Sequence, residues 1–201
     1  MSPATPTAPG SWRYRALPVF VFVGLMWISE VVDLILPLDL DAFGIRPREL
    51  DHLSGIVLAP FLHLGFGHLV ANTTTLLVLG SLVALSTGHL WLATAGIIVL
   101  GGLGTWLTGA SNSVHIGASG VVYGYAAFLT VYGFAARRLG SALVGLVVMA
   151  LYWSLLWGVL PFHTGVSWQG HLFGALAGAG LAWWLGRRDR QERLGSRHFV
   201  G

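Results

Sequence analysis

Six apolar runs follow one another along the chain, near residues 16–38, 67–86, 89–109, 119–136, 141–160 and 168–186, with almost no charge inside them. Most approach the roughly 20 residues that a helix needs to cross the hydrocarbon core of a bilayer. A soluble reading would have to cover so much apolar surface with a charged shell. Only 9% of residues are charged, against about 25% in ordinary soluble domains. The sequence therefore predicts an all-α polytopic membrane protein, a bundle of six transmembrane helices over residues 16–186.

Turn chemistry falls between the runs: "STG" at 86–88, "TGASNS" at 108–113, "RRLGS" at 137–141 and "PFHTG" at 161–165. All 11 basic residues are arginine, and their placement sets the topology. Arg13 and Arg15 precede the first run, Arg137 and Arg138 follow the fourth, and Arg187, Arg188, Arg190, Arg193 and Arg197 follow the sixth. With six spans these nine share one side and only Arg46 and Arg48 face the other. The positive-inside rule then makes both termini cytoplasmic. The first run is too long for the core of a signal peptide and no small-residue cleavage motif follows it, so it reads as a helix. Residues 1–15, opening "MSPATPTAPGS", read as a flexible cytoplasmic leader. Residues 187–201 read as a basic tail at the inner leaflet. The connection 39–66 is long, external and partly apolar, as functional loops tend to be. A piece of it is expected to lie in the interface or dip beside the bundle.

Polar side chains inside a bilayer are costly, which makes each a functional candidate. Three clusters qualify. "HLGFGHLVAN" carries His63, His68 and Asn72, with His68 and Asn72 on one face of the second helix. Interhelical hydrogen bonding is the structural alternative for both. "HIGASGVVYGY" puts Ser119 in the first turn of the fourth helix, where free N–H groups and the positive dipole end would face a developing oxyanion. Tyr123 lies one turn on. The structural alternative is that Gly120 and Gly124 simply let helices pack closely. "WQGHLFGALAGAG" places His171 about 5 Å of helix rise below Trp168, beside a small face of Gly174 and Gly178. All three clusters fall at the outer ends of their helices. A serine needs a base to take its proton, and His171 is the base on offer. No Asp or Glu lies near it in sequence, so a dyad is expected rather than a triad.

On these residues the chain resembles the rhomboid family of intramembrane serine proteases, over about residues 50–190. The resemblance rests on His63, His68 and Asn72 in the spacing His-x4-His-x3-Asn, on Gly117-Ala118-Ser119-Gly120, and on Gly170-His171-x-x-Gly174. It implies Ser119 as nucleophile and His171 as general base. It implies His68 and Asn72 as donors to the oxyanion beside the Ser119 backbone N–H. Tyr123 matches the residue that stacks on the catalytic imidazole, and His63 one that braces the first external loop. Gly117, Gly120 and Gly174 belong to the supporting motifs. The chain departs from the family where many members carry a Trp-Arg pair in that loop; "SGIVLAP" stands here instead. Arg46 and Arg48 are the residues available for a similar anchoring role.

Other polar residues are assigned smaller parts. Glu30 and Asp33 share a face near the outer end of the first run and are expected to contact the external loop or a neighbouring helix. His115 and His163 are read as solvated loop histidines, and His52, His89 and His198 as surface or interfacial. Trp153, Trp157 and Trp168 are placed to flank a lateral entrance beside the fifth span. The chain has no cysteine, which excludes disulfides, thiolate catalysis and cysteine metal sites. No metal or other cofactor is expected.

The leading expectation is thus an intramembrane endopeptidase without nucleic-acid partners. Its substrates would be single-span membrane proteins that enter from lipid and unwind near their outer end. The expected location is a prokaryotic cytoplasmic membrane, since the chain is compact and shows no organelle-targeting presequence, with the site open to the external side. The alternative is a non-proteolytic rhomboid-like protein that binds transmembrane helices for quality control or trafficking. Transport is disfavoured: no charged path runs mid-bilayer and no repeat symmetry is apparent.

Overall fold

The structure, a computed structural model, describes residues 12–36, 38–162 and 165–198. Residues 1–11 of the expected leader, 199–201 of the tail and His163 lie outside the described residues, as does the side chain of His198. The long first helix, α1, spans Trp12–Ile35. The connection to α3 follows as short turns: 3-10 turns at Leu40–Phe43, Leu50–His52 and Ala59–Phe61, with the single turn α2 (Gly55–Leu58) before the last of them. Then come α3 (Phe66–Ser86), α4 (Leu90–Thr108), α5 (Ser119–Ala135), α6 (Leu139–Leu151), the single turn α7 (Leu155–Gly158) and α8 (Trp168–His198).

Among the described residues three helices are long and apolar enough to cross a membrane: Arg15–Ile35 within α1, then α3 and α4, with mean hydropathies of 1.9, 1.7 and 1.7. Shorter apolar helices, α5 and α6, pack beside them. On α1 the side chains of Leu17, Phe20, Val21 and Ile28 are each at least half exposed. So continuous an apolar face requires apolar surroundings. The protein is an integral membrane protein.

Lipid tails are as apolar as leucine, so burial in a bilayer does not by itself drive helices together; close packing and hydrogen bonds do. The chain achieves this with glycine. α5 is the central helix, in contact with α3, α4, α6 and α8, and it buries Tyr125, Phe128, Leu129 and Tyr132. Its contact with α8 is backbone on backbone. A Cβ added to Gly174 would overlap the carbonyl oxygen of Gly120, and one added to Gly178 would overlap that of Gly124. One turn of α4 joins the same seam, since a Cβ on Gly101 would stand 3.1 Å from Gly174 Cα. Facing glycines thus hold the start of α5 against the start of α8.

Several expectations need correction. The fifth apolar run, read as one span over 141–160, is interrupted: α6 ends at Leu151, and the chain turns through Tyr152–Ser154 into α7. Its 13 residues reach only about 20 Å. The break is invisible to hydropathy because the residues around it are as apolar as the helix. Residues 187–198 of the basic tail continue α8 as helix. Arg188 pairs with Glu192 one turn on at 2.9 Å, and Arg193 donates to the carbonyl of Ala136. His89 is more than a surface group: its Nε2 lies 2.9 Å from Asp189 Oδ2, which also accepts from the Tyr132 hydroxyl at 2.5 Å.

The connection between α1 and α3 is anchored to the bundle. Ile45, Ile56 and Ala59 form a small apolar cluster against Trp106 of α4. Arg48 donates to Leu107 O at 2.9 Å and to Ser111 Oγ at 2.7 Å, while Arg46 stays within its own segment, donating to Ala42 O at 3.3 Å and lying 3.9 Å from Glu49 Oε2. Asp33 accepts from the Leu40 N–H at 2.7 Å, so the end of α1 holds the start of this connection. Glu30 is buried. His52 is partly exposed and 3.7 Å from Glu49.

Candidate active site

Ser119 opens α5 and is preceded by Gly117, whose φ of +106° is a left-handed conformation that suits glycine. A side chain is excluded there on a second ground, because a Cβ would stand 2.6 Å from His68 Cε1. The turn is pinned by Gly117 N–H donating to Ala59 O at 2.8 Å. The first helical bonds of α5 run from Val121 and Val122 back to Ala118 O. The N–H groups of Ser119 and Gly120 therefore precede the intrahelical ladder and are available to a ligand.

His171 lies one turn into α8 and is 8% exposed. Its Nε2 is 2.9 Å from Ser119 Oγ, and its Nδ1 is 2.8 Å from the carbonyl oxygen of Gly158 in α7. A carbonyl can only accept, so Nδ1 carries the proton and Nε2 presents a lone pair to the serine hydroxyl. That is the tautomer a general base requires. Tyr123 stacks on the imidazole with centroids 4.0 Å apart and planes 6° from parallel. Such a π-face also favours a cation above it, as an imidazolium would be. Gly158 was not legible as a functional residue, because its contribution is a backbone oxygen. Its lack of a side chain matters equally: a Cβ there would overlap the Tyr123 hydroxyl and stand 3.1 Å from His171 Nδ1.

His68 and Asn72, on α3, flank the same turn. Asn72 is 5% exposed, and its Nδ2 has no hydrogen-bond partner among the described residues. That amide lies on the Gly117 side, 3.6 Å from where a Cβ of Gly117 would be. His68, Asn72, His115, Ser119, Gln169 and His171 line one cavity of about 580 Å³, with Trp168 also on its wall. Trp153 and Trp157 are exposed, in the turn after α6 and in α7.

His63 is buried just before α3. Its Nε2 accepts from Ala118 N–H at 3.5 Å and its Nδ1 faces Phe61 O at 3.4 Å, which joins the α1–α3 connection to the serine turn. Burial, with a smaller effect from neighbouring His68, pushes its pKa down to about 4. His115 does not conform to the reading of a solvated loop histidine. It is half-buried, both ring nitrogens have hydroxyl partners, and burial lowers its pKa. A polar residue flanked by apolar Val114 and Ile116 was the signal available in sequence.

Hydroxyl, imidazole and unpaired amide converge on one cavity where separate helices meet. The Rhomboid domain profile matches residues 50–188. Uncharacterized proteins of Mycobacterium tuberculosis and Mycobacterium bovis are each 42% identical over 204 aligned positions, covering 95% of this chain and 85% of the relative. One of Mycobacterium leprae is 41% identical over 191, covering 90% and 76%. The chain belongs to the rhomboid family, whose members are generally intramembrane serine proteases.

Proposed function

We propose that this protein is an intramembrane serine endopeptidase using Ser119 as nucleophile and His171 as general base. The observation that carries the reading is the 2.9 Å approach of Ser119 Oγ to an imidazole nitrogen whose partner nitrogen is committed to Gly158 O. As Oγ attacks the scissile carbonyl carbon, its proton passes to His171 Nε2. The carbonyl oxygen becomes an oxyanion, received by the Ser119 N–H, Asn72 Nδ2 and His68. His171 then returns the proton to the leaving amine as the C–N bond breaks. Water, activated by the same nitrogen, hydrolyses the acyl-enzyme. The imidazolium formed in between keeps its Nδ1–H bond to Gly158 O and lies against the Tyr123 ring. These two groups take the part that a carboxylate plays in a triad.

Six membrane spans, α1, α3, α4, α5, α6 and α8, with both termini cytoplasmic, follow from the arginine distribution. In that topology the Ser119 end of α5 faces outward and the cavity receives water from the external side. The substrates are single-span transmembrane helices, unwound where they meet the serine, because a helix keeps its carbonyls hydrogen-bonded. A cavity of about 270 Å³ beside α5 and α6, lined by Tyr123, Tyr152, Trp153 and Leu156, gives such a segment a lipid-side approach to Tyr123. The location proposed is the cytoplasmic membrane of a bacterium, in keeping with the mycobacterial relatives.

Labelling of the purified protein with a fluorophosphonate, followed by peptide mapping, tests the reading. One adduct is expected, on Ser119, absent from His171→Ala. Absence of any adduct in a folded wild type, or an adduct that persists in Ser119→Ala, would favour the non-proteolytic helix-binding alternative.

A further inference from the structure

The loop that carries Ser119 and the helix that carries His171 are joined by a second serine–histidine contact, which the chemistry above does not use. His115 Nδ1 is 2.6 Å from Ser167 Oγ, and its Nε2 is 2.9 Å from Ser113 Oγ. The direction of these bonds can be assigned. Ser113 donates its hydroxyl to Ala110 O at 2.7 Å, so it accepts from His115 Nε2–H. That leaves Nδ1 as the acceptor of the Ser167 hydroxyl. Ser167 Oγ in turn accepts from Gly170 N–H at 3.3 Å, and Ser167 O accepts from His171 N–H at 3.1 Å. A directional chain thus runs from the first turn of α8 through a neutral imidazole to Ala110, beyond the end of α4.

The backbone of the same residue is fixed independently. Ile45 and His115 exchange both backbone bonds, at 2.9 and 3.0 Å, in an isolated antiparallel bridge. The ring has little room to swing, since a Cβ on Gly109 would stand 2.6 Å from its Nε2. His115 is four positions before Ser119, and Ser167 is four positions before His171. The contact therefore ties the two segments together immediately beside the dyad.

We infer that His115 is a positioning residue: through Ser167 it fixes the first turn of α8, and with it the His171 ring, against the turn that presents Ser119. The inference rests on the dyad reading above. Burial lowers the His115 pKa, in keeping with the neutral ring the chain of donors requires. An asparagine at this position keeps an acceptor near the place of Nδ1; an alanine does not.

The experiment measures kcat and KM for a fluorogenic transmembrane substrate in liposomes, with fold checked by thermal unfolding. His115→Ala is expected to lower kcat by about 10- to 100-fold with KM unchanged, the size that a small misplacement of a reacting group produces. His115→Asn should restore most of the loss. Ser167→Ala, which tests the contact from its other end, should show the same fall, and the double variant with His115→Ala should fall no further. A folded His115→Ala or Ser167→Ala with wild-type kcat overturns the inference, as does failure of His115→Asn to restore it, or full additivity. In each case wild-type turnover and its loss in Ser119→Ala leave the dyad standing. A wild type without turnover overturns both.

Discussion

Gly174 of α8 lies against Gly120 of α5 with no space for even a methyl group between them; a Cβ on Gly174 would overlap the Gly120 carbonyl oxygen and stand 2.9 Å from its carbon. Because Gly120 follows Ser119 and Gly174 is one turn beyond His171, this contact sets the separation of the Ser119 and His171 side chains. Gly174→Val is expected to push the helices apart and abolish fluorophosphonate labelling. It should also destabilise the protein by more than the about 1–3 kcal/mol typical of overpacking, since what it meets is backbone. Gly180, which has open space around its Cβ position, is the control. Gly180→Ala should label normally and melt no lower than wild type, as alanine is the better helix former. Thermal unfolding and labelling of the two variants side by side check this.

The carbonyl of Gly158 holds His171 in its Nδ1–H tautomer, and its missing side chain makes room for Tyr123. Gly158→Ala should cut kcat by about 10²-fold or more, the cost of a reacting group displaced by an ångström, without loss of helix content by circular dichroism. Adding Tyr123→Phe removes the hydroxyl that the new methyl meets, so the double variant should recover part of the rate. Steady-state cleavage of a membrane substrate provides the comparison.

Asn72 buries an amide nitrogen that has no partner among the described residues. An unpaired buried donor costs about 1–3 kcal/mol of stability. Asn72→Ala is accordingly expected to melt at or above the wild-type temperature while losing about 10²–10³-fold in kcat, the usual loss for one oxyanion donor. A residue there for helix packing alone would show the reverse: lower stability and a largely retained rate.

His63 ties a stability prediction to pH. Its folded pKa of about 4 lies below its ordinary value of 6.5. Between those values the unfolded chain binds the extra proton and the folded one resists it. The His63 contribution is complete above about pH 6.5 and is lost as pH falls towards 4. Protonation would also set a donor at Nε2 against the Ala118 N–H. Asp41 acts in the opposite sense: burial, then Asp33, Glu30 and Asp39 nearby, raise it to about 6, so acid relieves it. The measurement is therefore a difference, the melting temperature of wild type minus that of His63→Gln from pH 7.5 to 4.5. It should fall steadily with acid.

Hydropathy and polarity made much of this legible in advance. Long apolar runs carry their own length signal, and α1, α3 and α4 are where that signal is strongest. Ser119, His171, His68 and Asn72 stand out for the same physical reason: each is a polar group in a setting that penalises one. What stayed hidden has no such contrast. The turn between α6 and α7 lies within uniformly apolar sequence. The Gly158 carbonyl is a backbone atom, which no residue type announces. The pairing of His115 with Ser167 joins residues 52 positions apart, and neither lies within an apolar run. Arg48 was named among candidates for anchoring, but its two partners, one in the last turn of α4 and one just past it, and its positive φ of 64° are not revealed by sequence.

The central claim, that Ser119 and His171 act together on a peptide bond, is tested most directly by reconstituting the purified protein in liposomes with a single-span substrate. Cleavage fragments are then mapped by mass spectrometry. The account predicts one principal cut near the outer end of the substrate helix by wild type, and none by either Ser119→Ala or His171→Ala. Cutting by either variant at the wild-type rate would contradict it.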